Sequence, residues 1–168
     1  DDYLESNDPV EVPSDDFLDK LRGITGDKYA TNDPAILIAY SNDPCPVSFE
    51  TMPQYAAVPS DTEQVSEIVK LCRCEGIDYT VRGNGSSVMG FVLGSGLIID
   101  TTRMSKMKFD IGNRAVTIGA GISAFELQKE AVARGYRVNA AEPSALYCAN
   151  IMCSGIFSLF SSSYGTAA

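Results

Sequence analysis

Between Tyr55 and Val81 the chain reads as strand, helix, strand, and this short unit restricts the fold more than any other stretch. Tyr55–Val58 is an apolar run ended by Pro59. Ser60-Asp61-Thr62-Glu63 has the spacing of a capping box, and Val65, Ile68, Val69 and Cys72 follow at helical intervals until Gly76. Ile77, Tyr79 and Val81 then alternate as a strand. Two strands joined by a helix predict a small βαβ unit with a right-handed crossover.

The flanking segments are read the same way. Residues 1–13 carry Pro9 and Pro13 and predict an extended arm. Ser14 precedes Asp15 and Asp16, with Phe17, Leu18, Leu21 and Ile24 on one stripe, which predicts a capped helix closed by Gly26. Residues 33–53 are rich in proline and form a connector, with a short helix or strand at Ala35–Tyr40. After the βαβ unit, Leu97-Ile98-Ile99-Asp100 predicts a buried strand. Met107–Asp110 and Ala115–Ile118 predict a hairpin around Gly112-Asn113. Ser123-Ala124-Phe125-Glu126 is a second capping box, opening a helix with Leu127, Ala131 and Val132 inward and Gly135 at its end. Tyr136 and Val138 resume an extended path, and residues 143–165 are small, apolar and nearly uncharged. The predicted class is α+β: a small βαβ subdomain packed against a mixed or antiparallel sheet with helices. Residues 1–52 form an acidic leader with a short helix, and residues 53–168 form the main domain.

Charge and residue types narrow the function. The formal charge is −9, and residues 1–50 carry all of that imbalance, which argues against a nucleic-acid surface. No apolar run approaches the roughly 18 residues of a membrane span, and no signal peptide is evident. There is no histidine, and Cys45, Cys72, Cys74, Cys148 and Cys153 do not form a metal frame. They read as reduced thiols, mostly core filler, in a cytoplasmic protein. With the commonest general base missing, redox or acid–base chemistry here requires a cofactor or residues beyond this stretch.

Immediately after the second predicted strand stands Arg82-Gly83-Asn84-Gly85-Ser86-Ser87, with Gly90 close behind. Glycines at a strand end let the backbone approach a ligand and turn consecutive amides into one concavity that suits phosphate oxygens. Gly83 and Gly85 match the first two places of a Gly-x-Gly-x-x-Gly fingerprint, but Val88 occupies the third and no helix follows. A P-loop needs a lysine that this loop lacks. An ordinary tight loop is the alternative. Arg82 would either neutralise a diphosphate or form a surface ion pair.

Taken in order, these motifs resemble the FAD-binding domain of the vanillyl-alcohol oxidase/PCMH flavoproteins, in particular the glycolate and D-lactate dehydrogenase branch. The resemblance runs over residues 53–165. Pro53 to Ser60 with Glu63-Gln64-Val65 resembles that family's opening strand and helix. Val81 to Ser87 resembles its Arg-Gly-x-Gly-Thr/Ser-Ser pyrophosphate loop. Gly96 to Asp100 with Arg103-Met104 resembles its apolar strand and Asp-x-x-Arg turn. Ala120-Gly121-Ile122, Pro143-Ser144 and Tyr164-Gly165 resemble its later landmarks, and residues 17–43 are similar to its leader. The family's Gly-Gly pair in the flavin loop is here Met152-Cys153, with Gly155 two places beyond.

The resemblance implies FAD as cofactor. It implies that Arg82, Gly83, Asn84, Gly85, Ser86, Ser87 and Gly90 serve the diphosphate end. Pro143, Ser144, Asn150, Cys153, Ser154 and Gly155 would line the ribityl chain and ring. It implies an oxidoreductase acting on a small-molecule 2-hydroxy acid, with hydride passing to the flavin. No catalytic residue falls within this stretch. Further implied partners are a missing C-terminal half or a partner subunit, and an iron–sulfur or flavoprotein electron acceptor. Two other readings stand beside it: a split FAD-holding electron-transfer subunit without its own substrate pocket, and a scaffold that has lost FAD.

Overall fold

A computed structural model describes residues 15–46, 51–87, 89–138 and 147–148. Ser14 and the extended arm lie outside these residues. Helix α1 (Asp15–Thr25) has its acids toward the N-terminus and Arg22 in the last turn, matching the helix dipole. It ends at Gly26, whose amide donates to the Arg22 carbonyl at 2.7 Å. Strand β1 (Ala30–Thr31) and helix α2 (Pro34–Leu37) follow, α2 continuing as one 3-10 turn through Tyr40, so the apolar run at 35–40 is helical. Strand β2 (Tyr55–Ala57), helix α3 (Thr62–Glu75) and strand β3 (Tyr79–Arg82) supply the expected strand–helix–strand order. Strand β4 (Leu97–Asp100), the hairpin β5 (Met107–Asp110) and β6 (Ala115–Ile118), and helix α4 (Ala124–Val132) complete the described elements.

The four-stranded sheet has the order β1-β2-β4-β3. β4 lies between the two strands of the βαβ unit and runs parallel to both, with Leu97 opposite Tyr55 on one side and Tyr79 on the other. The reason is visible in the residues. All four positions of β4 are buried, as a strand covered on both faces must be. β3 takes the edge, where Tyr79 and Val81 face outward; their alternation predicts the strand but not a buried apolar face. β1 is antiparallel to β2 and closes the other edge.

One core lies between this sheet and helices α1 and α3. Phe17, Leu18 and Leu21 of α1 pack with Tyr55, Ile68, Cys72, Leu97 and Ile99. The Phe17 and Tyr55 rings meet at 4.7 Å and 58°. At the surface Lys20 bridges Asp16 and Glu75, both at 2.7 Å, tying α1 to α3. A second core joins Ile122, Ala124, Leu127 and Cys148 to the hairpin.

The caps separate into one as expected and one revised. At α4, Ser123 accepts from the Glu126 amide at 3.2 Å and Glu126 returns to the Ser123 amide at 3.0 Å, a complete capping box. At α3 the N-cap is Asp61, not Ser60. Its carboxylate accepts from the Gln64 amide at 3.0 Å, and the Gln64 side chain reaches back to the Ser60 amide at 2.8 Å. Asp61 wins because an ionised acceptor at the positive helix end is stronger than a hydroxyl. Val132, expected inward, is exposed, because α4 buries only the Ala124, Leu127 and Ala131 stripe.

Candidate functional site

The parallel strands β3 and β4 end side by side, with Arg82 opposite Asp100. The glycine-bearing bend leaves β3 at this point, and the ends of parallel strands are where open α/β sheets place ligands. A cavity of about 330 Å³ opens there. Gly83, Asn84, Gly85, Ser86 and Ser87 all line it, together with Val81, Phe91, Thr101, Ala120 and Tyr147.

The bend fits an anionic ligand by its unmet donors. Among the described residues, no amide from Gly83 to Ser87 donates to a turn or loop carbonyl. The Ser86 hydroxyl oxygen is buried and without a hydrogen-bond partner among the described residues. Burying a hydroxyl unpaired costs free energy, so this oxygen marks a place in the bend that a further polar partner would stabilise. Ser87 is used differently: its hydroxyl accepts from the Met89 and Phe91 amides, both at 3.3 Å, and shapes the turn beyond the bend. Gly85 stands at φ +74°, a conformation that favours glycine.

Two expected residues do not face the cavity. Gly90 lies past the lining, at φ +76° in the following turn. Arg82 is 9% exposed and, among the described residues, forms no ion pair. Its Nη2 donates to the Asn42 carbonyl at 3.1 Å and its Nη1 to the Tyr40 carbonyl at 3.5 Å, with the Tyr40 ring 5.6 Å away. Pro143, Ser144, Asn150, Cys153, Ser154 and Gly155 lie outside the described residues, so the ring end of the expected site does too.

The surroundings are held firmly. The Tyr40 hydroxyl donates to Asp100 Oδ2 at 2.8 Å, and burial, then the Asp100 charge, pushes that phenol well above its ordinary range. Asp100 Oδ1 accepts from the Thr102 amide at 2.8 Å, which starts the turn after β4. Arg103 in that turn donates to the Val58 carbonyl at 2.7 Å and stacks on Tyr29 at 3.2 Å, joining the ends of β4 and β2 to the leader. Tyr147 closes the cavity against Gly83, where a β-carbon would come within 2.8 Å of its ring. Burial raises the Tyr147 pKa, helped by Asp100 and Glu126. Sequence reasoning did not find Tyr147 or Thr101, because neither stands in a glycine motif and only the fold brings them to the bend.

A wider cleft of about 680 Å³ lies between the start of α3 and the hairpin, flanked by Asp61, Glu63, Lys106 and Lys108. Its charges are of both signs, and Asp61 is occupied by its cap. Among the described residues no group of three His, Cys, Asp or Glu side chains could hold a metal, and no helix is long and apolar enough to cross a membrane. Cys72 and Cys148 are buried, as core filler should be, whereas Cys74 is exposed and Cys45 half-buried; all four are free thiols.

Comparison with known proteins agrees with this geometry. Residues 53–167 match the family described as FAD binding domain. A D-lactate dehydrogenase of Archaeoglobus fulgidus is 30% identical over 79 residues, which is 46% of this chain and 18% of that protein. An uncharacterised FAD-linked oxidoreductase of Mycobacterium tuberculosis is 30% identical over 88 residues, 51% of this chain and 19% of that protein. The chain thus spans under a fifth of the curated relatives it matches. Among solved structures, an alkyldihydroxyacetonephosphate synthase superposes with a TM-score of 0.82 at 18% identity, over 92% of this chain and 34% of that one.

Proposed function

Because this chain belongs to the FAD binding domain family over residues 53–167, we propose that it is the cofactor-holding part of a vanillyl-alcohol oxidase/PCMH-type oxidoreductase that oxidises a 2-hydroxy acid such as D-lactate or glycolate. The observation that carries this reading is the bend at 83–87: its five residues line one cavity, and among the described residues its amides donate to no turn or loop carbonyl and its buried Ser86 hydroxyl has no partner. These amides and Ser86 hold the paired phosphates of FAD. Residues 53–168 form the cofactor domain, and residues 1–52 precede it as a leader. Pro143, Ser144, Asn150, Cys153, Ser154 and Gly155 line the ribityl chain and the ring. FAD, when bound, supplies a hydride acceptor; this chain binds and orients it and shields it from water. Substrate-holding groups and an acceptor for the electrons lie elsewhere, in the rest of the protein or in a partner subunit. The similarity to a D-lactate dehydrogenase supports the substrate class, and the free thiols suit a cytoplasmic setting.

The test is anaerobic mixing of the purified full-length protein with D-lactate or glycolate. A flavin spectrum that bleaches with either acid supports the whole reading. No flavin after reconstitution overturns it. Met152-Cys153, standing where the family has Gly-Gly, favours a second reading, a split electron-transfer subunit. In that case flavin is retained but bleaches only when a partner subunit is added.

A further inference from the structure

We infer that Arg82 is a positioning residue that fixes the phosphate-binding bend by tying it to the turn at residues 38–42, and not a ligand of the cofactor's phosphates; this rests on the FAD reading above.

Arg82 is not among the residues that line the cavity, and its guanidinium sits among the carbonyls of Tyr40 and Asn42. Among the described residues no carboxylate pairs with it, so main-chain oxygens and the Tyr40 ring compensate its burial. The bend is moulded on it. A β-carbon added at Gly85 would run into the guanidinium, with Cζ at 2.7 Å. The contact closes into a ring: Arg82 holds the Tyr40 and Asn42 carbonyls, the Tyr40 hydroxyl donates to Asp100 at 2.8 Å, and Asp100 is the register partner of Arg82. The Arg82 carbonyl also accepts from the buried Thr101 hydroxyl at 3.4 Å. A planar fork reaching two carbonyls at once is a task for arginine, because lysine has a point charge and no fork. The 38–42 turn, distant in sequence, is therefore a mechanical part of the cofactor site.

Two measurements on the full-length protein test this. The first is FAD titration of Arg82→Lys, which keeps the charge and removes the fork. The inference expects binding weaker by about tenfold or more, the scale of one charged hydrogen bond. Affinity within about twofold of the unmodified protein overturns it. The second is hydrogen exchange of the unmodified protein with and without FAD, which stands even if the variant does not fold. Slower exchange at residues 38–43 as well as 83–87 on FAD binding supports the tie. Slowing confined to 83–87 overturns it. If the unmodified protein takes up no FAD at all, the cofactor reading falls, and the role of Arg82 falls with it.

Discussion

A side chain at Gly85 meets the Arg82 guanidinium, and the backbone there stands at φ +74°. Gly85→Val is therefore expected to strip FAD from the purified protein, read as the ratio of flavin to protein absorbance. A folded variant with full FAD content would sink the assignment of the bend. The sequence alone points to the same residue for a different reason, a backbone that must approach phosphate. The structure adds the space behind it, which no motif could reveal because Tyr40 and Asn42 lie far away in the chain. Cys72 carries a second expectation. Burial raises its thiol from an ordinary 9.0 to about 11. The unfolded chain ionises first, so the stability this thiol contributes is complete below pH 9 and is lost as pH rises from there toward 11. Cys148 is shifted the same way by burial. Alkaline unfolding monitored by circular dichroism should therefore begin near pH 9, and Cys72→Ala should shrink that limb without abolishing it. The same variant should cost about 1–2 kcal/mol at neutral pH and leave FAD in place.

Helix starts are where the elements were easiest to read and where one reading needed revision. Ser123→Ala should destabilise by about 1 kcal/mol in urea unfolding, since it removes one arm of a complete capping box. For α3, Asp61→Ala should lower the melting temperature more than Ser60→Ala, because Asp61 holds the Gln64 amide. Equal effects would restore Ser60 as the cap. The carboxylates agree in sign. Hydrogen bonds from the Gln64 and Ser123 amides hold Asp61 and Glu126 below their ordinary values. Their contribution is present above the unfolded values of 3.8 and 4.5 and is lost as pH falls through the folded ones. Capping spacing, the apolar triplet Leu97-Ile98-Ile99 of β4 and the hairpin turn are local signals, so those elements were legible. The outward face of β3 was not, because alternation gives a strand's period and not which side is covered.

For the molecule as a whole, the leader helix belongs to the first core. Phe17, Leu18 and Leu21 are nearly inaccessible and pack against the sheet from which the FAD bend departs. Leu21→Ala should cost about 2–5 kcal/mol by chemical denaturation. A version lacking residues 1–52 should fail to fold or to retain FAD, and full cofactor content in it would show the leader to be dispensable. Asp16 and Asp19 lie on the exposed face of α1, and Phe17, Leu18 and Leu21 decide its place. That dual character is why composition suggested a separate leader while the fold uses it as a wall. The position of β4 has a temporal consequence. β2 and β3 are made first, yet they share no edge, and the strand that must separate them follows both in the chain. A nascent polypeptide cannot close this sheet until Asp100 has left the ribosome. Until then the backbone edges of β2 and β3 that β4 will pair stand open, a window in which a chaperone, or aggregation, has its first access to the protein.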